Sequence, residues 1–462
     1  MTKLCVVLDI GKTNVKIHVI DDKFDTHYSR TRPNSVVNPG LYPHFDIPGL
    51  WRWVCETLSE ITRKFYIDVI SITTHGATAA LVHSDAGDSG LVLPVMDYEY
   101  EGPAMDPDYN AIRPPFAETL SPQLPAGLNL GRQLFWQQRY FEPAFAEAAY
   151  ILPYPQYWAW RLTGIAVSEV TSWGCHSDLW APRKGDYSTL VDQLGLREKL
   201  PFLAAANSVI GCVSNDVVKQ TGLPGDCTVI AGVHDSNASY LRYLSRQDNT
   251  PFTVISTGTW TVCFSPETPL ESLDESNDML ANVDIKGRPV ACARFMGGRD
   301  FDAICQRTGS NPQGIYSADD LQHEVTSEVY ALPNFSEGSG PFGGRRAEIL
   351  GQTANGTALA SLYSALMLDY VLDLLGCEGE LIMEGAWLRN RLLCQLLAQL
   401  RTEQPLVCST DPTGTVTGAA QLALGGAPTT RWLEPVSPTA LEGLDDYRDR
   451  WRDLLFKSAS EQ

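Results

Sequence analysis

Two stretches of this chain share one design: an apolar strand, a short turn of small polar residues, and a second strand. The first is Leu4-Cys5-Val6-Val7-Leu8-Asp9-Ile10-Gly11-Lys12-Thr13-Asn14-Val15-Lys16-Ile17-His18-Val19-Ile20-Asp21. The second is Phe252-Thr253-Val254-Ile255-Ser256-Thr257-Gly258-Thr259-Trp260-Thr261-Val262. They are alike in design and not in sequence. One hairpin opening each half of the chain implies a duplicated architecture with a cleft between the halves. In the first turn Gly11 lets backbone N–H groups approach an anion, and Lys12, Thr13 and Asn14 supply further donors. Asp9, at the end of its strand, is placed to hold the water shell of a magnesium ion, which prefers carboxylate and phosphate oxygens. The second turn offers hydroxyls and free backbone donors suited to a terminal phosphate. An ordinary hairpin turn explains either stretch equally well when each is taken alone.

At 462 residues the chain exceeds one typical core, and two domains are expected. The polar, turn-prone run Arg246-Gln247-Asp248-Asn249-Thr250-Pro251 marks the boundary. It divides an N-terminal domain over 1–245 from a C-terminal domain over 246–435, followed by a solvated helical tail over 436–462. The formal charge of −20 argues against general affinity for nucleic acid or acidic membranes, whose phosphates are bound chiefly by Lys and Arg. It leaves room for a nucleotide site built from local dipoles and one metal ion. No stretch approaches the roughly 20 uncharged apolar residues of a membrane span, and no export signal is visible. Eleven dispersed cysteines without a Cys-x-x-Cys pair read as reduced thiols, and a cytoplasmic location is expected.

Between the hairpins, Trp53, Val54, Leu58, Ile61 and Phe65 recur at helical spacing before a β-branched run from Val69 to Thr73. Residues 101–125 are rich in Pro, Asp and Tyr, lack periodicity and predict a long surface loop. Later, Leu359, Leu362, Tyr363, Leu366, Tyr370 and Leu374 predict a long helix, and Glu380 to Ala386 a strand and turn. Leu392, Leu393, Leu396, Leu397 and Leu400 mark an amphipathic helix.

The strongest single candidate for chemistry is Asp235, in Gly232-Val233-His234-Asp235-Ser236-Asn237-Ala238. A carboxylate at the end of an apolar strand, before small residues that open a helix, sits where α/β folds place ligands. There it could accept a proton from a hydroxyl attacking phosphorus. The competing reading is a helix N-cap. Gly297-Gly298 and Glu384-Gly385-Ala386 permit close backbone approach by a ligand, or simply a turn. His75-Gly76 and Asp97 follow strand-like runs and are candidates for a polar pocket; a lone histidine is more often structural.

Order and spacing together resemble the FGGY carbohydrate kinases, of the actin-like, sugar-kinase and Hsp70 superfamily, over roughly residues 3 to 430. Asp9-Ile10-Gly11-Lys12-Thr13-Asn14-Val15-Lys16 looks like that family's first phosphate motif, and Ser256-Thr257-Gly258-Thr259-Trp260 like its second. Leu162-Thr163-Gly164 with Ser168-Glu169-Val170-Thr171-Ser172 looks like its "LTG…T..S" segment, and Gly232-Val233-His234-Asp235 like the motif of the catalytic aspartate. Met383-Glu384-Gly385-Ala386 with Asn390 is similar to the adenosine motif, and Thr417-Gly418-Ala419-Ala420 to the closing helix. His234-Asp235 and Thr73-Thr74-His75-Gly76-Ala77 look most like the rhamnulokinase and fuculokinase branch.

The resemblance implies an α/β fold of two actin-like (RNase H-like) domains, each a mixed five-stranded sheet flanked by helices. It implies an ATP- and Mg²⁺-dependent kinase that phosphorylates a primary hydroxyl of a ketose, a deoxyketose such as L-rhamnulose or L-fuculose before xylulose, ribulose or a polyol. Asp235 would be the catalytic base and Asp9 the metal-side carboxylate. Gly11, Lys12, Thr13, Asn14, Gly258, Thr259, Gly297, Gly298, Gly385, Ala386 and Asn390 would bind nucleotide. His75, Gly76, Asp97, His234 and Asp235 would bind the sugar. The expected partner is a small-molecule sugar, with neither nucleic acid nor membrane, and a homodimer is allowed. Lys12 and Asn14 stand where many members carry small hydroxyl residues, Glu384 where a glycine is common, Gln133 for a usual Lys, and Ser364 for a frequent Arg. Rival readings on the same fold are a nucleotide-binding regulator that has lost catalysis and a phosphatase-type hydrolase.

Overall fold

The strand Leu4–Ile10 is apolar on both faces, and a strand of that kind has to be covered on both. It pairs antiparallel with Asn14–Asp21, which pairs with Thr26–Pro33. On its other side it runs parallel to Val69–Thr74, and Thr228–Ile230 and Val233–His234 continue in parallel. Val209–Cys212 closes that edge antiparallel. Val6, Leu8 and Ile10 pack toward Leu58, Trp158 and Leu162, from the helices Ile47–Thr62 and Tyr154–Thr163. Cys5 and Val7 point the other way, toward Ala238, Ala419 and Ala420.

This computed structural model describes residues 2–85, 87, 89–244, 250–336, 338–411, 413–426 and 432–457. The chain divides into two units, one of Met1–Gln247, Ala281–Pro289 and Thr413–Thr429, the other of Asp248–Leu280, Val290–Pro412 and Thr430–Gln462. Most of the expected boundary run lies outside the described residues. A single cut there would assign the helix Gly414–Leu424 to the second half, whereas it packs on Leu4–Ile10, Val69–Thr74 and the helix Asp235–Leu244.

In the second unit, Phe252–Thr257 pairs antiparallel with Thr261–Ser265, which pairs with Pro289–Phe295. Glu380–Gly385 and Leu406–Ser409 follow in parallel on the other side, and Leu433–Pro435 closes antiparallel. The succession of strand directions is that of the first sheet, so the duplication read from the two hairpins holds at the level of topology. Among the described residues each sheet has seven strands rather than five, the second sheet's seventh being Met279–Val283 beside Pro289–Phe295. Antiparallel edges are added, and the first sheet's last parallel strand is broken in two at Gly232. That glycine has φ +86, and a Cβ on it would stand 2.7 Å from the Ile72 carbonyl oxygen.

Three further expectations change. Residues 101–125 are not a surface loop throughout: short helical turns bury Pro103, Tyr109, Leu120 and Leu124, and Tyr109 donates to Asp178 at 2.7 Å. The Arg- and Asp-rich tail forms the helix Leu444–Lys457, which is docked rather than solvated, burying Leu444, Tyr447, Trp451 and Leu455. Trp451 Nε1 donates to the Ala331 carbonyl at 2.8 Å. Finally, one stretch does reach the length and apolarity of a membrane span, the helix Gly356–Leu375. Nearly all of it is buried in the core of its own unit, which explains its nearly uniform apolarity. All eleven cysteines are free thiols.

Candidate active site

The first hairpin turns over Lys12 and Thr13, closed by the Gly11 N–H donating to the Asn14 carbonyl at 2.9 Å. Asn34, which no sequence signal singled out, braces the turn from outside. Its side chain donates to the Gly11 carbonyl at 2.9 Å and its N–H to the Thr13 carbonyl at 2.8 Å. Thr13 and Asn14 stand exposed at the tip. Lys12 does not point with them. Its ammonium pairs with Asp97 and lies 3.3 Å from Glu99. It also sits 4.8 Å from the Tyr98 ring centroid and 5.3 Å from that of Phe45, a setting that favours a cation on both counts. The hairpin's cation is therefore held by the segment expected to read sugar.

Asp9 is buried, with Lys16 Nζ 3.4 Å from its Oδ2. Burial raises its pKa to about 6, against the pull of Lys16 and with the charge of Asp235 adding to the rise. Its Oδ1 accepts no hydrogen bond among the described residues. The described residues contain no cluster of three or more metal-binding side chains. That donor set fits magnesium, which keeps its waters and is commonly held by one or two carboxylates with phosphate oxygens.

His75 follows the strand Val69–Thr74 and is buried among the rings of Phe45, Tyr98 and Tyr154, with centroids 5.1, 5.4 and 5.1 Å away. Burial lowers its pKa to about 4, so the ring is neutral. Its Nδ1 lies 3.0 Å from the Gly76 carbonyl, which can only accept; the proton is on Nδ1, and Nε2 is a bare acceptor. Among the described residues no group satisfies that Nε2. Gln133 donates to the carbonyls of Ala77 and Gly127 at 2.7 and 2.5 Å and so braces the same loop.

Asp235 is the first residue of the helix Asp235–Leu244. Its Oδ1 takes the Ser236 N–H at 2.6 Å, and His234 Nε2 is 3.2 Å away. An N-cap would bind an N–H two or three residues on; Asp235 binds neither, so the capping reading fails. Behind it, the His234 N–H donates to Thr171 Oγ1 at 3.1 Å, and the Thr171 hydroxyl and N–H donate to Glu169 Oε2 at 2.5 and 2.9 Å.

Glu169 is fully buried, and burial pushes it up to about 8 despite those bonds. The native state therefore holds a proton that the unfolded chain releases near the ordinary value, and stability falls as pH rises from about 4.5 to about 8. Glu169→Gln keeps the acceptor for Thr171 without the charge. At pH 8 it is expected to be more stable than the parent by roughly 1–3 kcal/mol, a difference that vanishes near pH 4 in urea denaturation.

In the second unit, the Gly258 N–H donates to the Trp260 carbonyl at 2.9 Å, leaving Thr259 exposed at the tip. The helix Gly297–Arg307 begins against this turn: the Gly298 N–H donates to the Thr259 carbonyl at 3.2 Å, and a Cβ at Gly298 would stand 2.4 Å from the Gly258 carbonyl oxygen. Thr257 Oγ1 donates to the Glu384 carbonyl at 2.6 Å and accepts from the Trp387 N–H at 3.1 Å, joining the turn to the loop at Gly385 and Ala386. Asn390 caps the helix Arg391–Leu400 through Leu393 N–H, accepts from Tyr316, and donates to Ser361 at 3.0 Å. Its amide thus has a structural task in this loop.

The C-terminal domain model of the carbohydrate kinase FGGY family matches residues 249–431. A solved structure described as a carbohydrate kinase from Novosphingobium aromaticivorans is 32% identical, with 99% of each chain covered and a TM-score of 0.89. A ligand-bound xylulose kinase from Lactobacillus acidophilus aligns at 17% identity over 99% of this chain and 98% of that one, with a TM-score of 0.80. A glycerol kinase from Plasmodium falciparum, solved with ADP, aligns at 14% identity over 98% and 92%, with a TM-score of 0.74. Among curated proteins, none matches the chain.

Proposed function

We propose, from the premise that this chain belongs to the FGGY family of carbohydrate kinases and is a phosphotransferase, that it moves the γ-phosphate of ATP to a primary hydroxyl of a ketose. The observation that carries this reading is the pair formed by Asp235, a carboxylate at a helix start whose side chain is 29 % exposed, and the unsatisfied acceptor Nε2 of buried His75. Asp235 takes the proton of the attacking hydroxyl. His75 accepts a hydrogen bond from a second hydroxyl, and an acceptor lacking that group leaves a buried nitrogen unpaired, a strong basis for discrimination. Asp97 and Lys12 complete the polar side of the sugar site. Thr13, Asn14 and the Gly11 backbone are the phosphate contacts proposed in the first unit, and Gly258 and Thr259 those proposed in the second. Gly297, Gly298, Gly385 and Ala386 give the nucleotide close backbone approach. Asp9 would hold hydrated magnesium, which would supply positive charge to the phosphates.

For the acceptor, we favour a 6-deoxyketose such as L-rhamnulose or L-fuculose. The run Thr73-Thr74-His75-Gly76-Ala77, which resembles that of the rhamnulokinase and fuculokinase branch, supports this choice. A pentulose is the second reading, supported by the likeness in fold to a xylulose kinase. The test is ADP release with MgATP over L-rhamnulose, L-fuculose, D- and L-xylulose, D- and L-ribulose, gluconate and glycerol. Turnover with one of the ketoses is expected, and none without an acceptor. Acceptor-independent phosphate release, or turnover of gluconate or glycerol alone, would overturn the ketose reading.

A further inference from the structure

His234 has both ring nitrogens committed. The Asn237 side chain donates from Nδ2 to the Val283 carbonyl at 2.5 Å, which fixes the amide so that its oxygen faces His234. That oxygen is 2.9 Å from His234 Nδ1, so Nδ1 must carry a proton. Nε2 is 3.2 Å from Oδ1 of Asp235, and a bare nitrogen lone pair there would oppose a carboxylate oxygen. Both contacts are attractive only if both nitrogens carry protons. Gly76 makes room for this arrangement: a Cβ there would stand 2.7 Å from His234 Nε2.

We propose that His234 works as an imidazolium that anchors Oδ1 of Asp235, so that Oδ2 is the oxygen that takes the acceptor's proton, and that His234 acts through Asp235 rather than on the sugar. Oδ1 is fully engaged by His234 and the Ser236 N–H, whereas Oδ2 accepts nothing among the described residues. During transfer the hydroxyl proton passes to Oδ2 and the hydroxyl oxygen forms a bond to the γ-phosphorus. The bond from that phosphorus to the β–γ bridging oxygen breaks and ADP leaves. The imidazolium beside Oδ1 holds that oxygen and leaves the other one free to face the acceptor.

The surroundings agree. Burial opposes charge on the His234 ring, but Cys175, Asp235 and Asn237 outweigh it and push the ring up to about 10. The other titratable groups around it are Glu169, His75 and Cys175, the last accompanied by His176. Of these, His75 is held neutral by its burial.

This inference rests on the kinase reading for its chemistry, though not for its charge state. The first measurement is therefore made on the free protein: ¹⁵N chemical shifts of the imidazole rings at pH 8, with His234 assigned by its loss in His234→Gln. Two protonated nitrogens are expected, and one bare nitrogen overturns the proposal even if the enzyme phosphorylates a ketose. The second is kinetic. His234→Ala is expected to lower kcat roughly 100-fold with the sugar KM changed less than about threefold. His234→Gln, which restores a neutral donor near the Nε2 position, should recover about tenfold of that loss. A raised sugar KM with unchanged kcat would make His234 a sugar ligand and overturn the positioning role. If no acceptor is phosphorylated, the kinase reading fails while the ¹⁵N result still decides the charge.

Discussion

Replacement of Asp235 by Asn is expected to lower kcat by about 10²–10⁴-fold while ADP affinity stays within about twofold of the parent. The substitution is nearly isosteric. An amide oxygen can still take the Ser236 N–H at the Oδ1 position, so the helix start at 235 keeps its local bond. What disappears is the charge and the proton acceptor at Oδ2. Loss of the base slows the step in which the acceptor hydroxyl attacks, and the nucleotide contacts proposed for the second unit are untouched. Steady-state ADP release and ADP titration calorimetry on the same preparation separate the two effects. Turnover near that of the parent would remove Asp235 from the mechanism altogether.

The second large effect is expected from Gly385→Ala, in the loop after Glu380–Gly385. Gly385 has φ 95 and ψ −150, a region closed to residues with a side chain. An added Cβ would also stand 2.0 Å from the Thr257 carbonyl oxygen, a backbone atom that cannot rotate away. The loop must move off the strand Phe252–Thr257, breaking the bonds through which Thr257 holds Glu384 and Trp387. Denaturant unfolding should show a loss of about 3 kcal/mol, and ADP affinity should fall at least about tenfold. Gly287→Ala is the control: φ is +75 but nothing lies within 4 Å, so a cost near 1 kcal/mol and unchanged ADP affinity are expected there.

The sequence made the two hairpins, the duplicated topology and the strand-to-helix placement of Asp235 legible, because all three depend on local patterns of apolar runs and turn residues. Residues whose value comes from distant partners were not legible in that way. Lys12 was read with the hairpin tip because its neighbours in sequence are Gly11 and Thr13; its position is set instead by Asp97, Glu99 and the rings of Tyr98 and Phe45. Asn34 carries no motif at all and matters only because the strand Thr26–Pro33 delivers it to the turn. Asn390 was read as an adenosine contact, while its capping geometry and its bonds to Tyr316 and Ser361 become visible only when the helices are packed. The polar tail looked solvated because charge dominates its composition, yet Trp451 and Leu455 at helical spacing were enough to dock it.

The helix Gly414–Leu424 gives this molecule an unusual order of manufacture. On the ribosome, the strands of the first sheet are all translated once His234 has been added. One apolar face then presents Cys5, Val7, Val69 and Ile230 with only part of its cover. Val416, Ala419 and Ala420, which finish that cover, are translated after the second unit's segments up to Pro412. The fit is close when they arrive: Ser71 Oγ donates to the Ala419 carbonyl at 2.7 Å, and a Cβ at Gly418 would stand 1.7 Å from the Ala238 carbonyl oxygen. The unit begun first is thus completed only after most of the second has been translated, and the nascent chain must keep a greasy surface from premature aggregation in the meantime. A shortened chain released before residue 414 would retain Asp235, the proposed base, and the carboxylate Asp9 on a sheet it cannot seal.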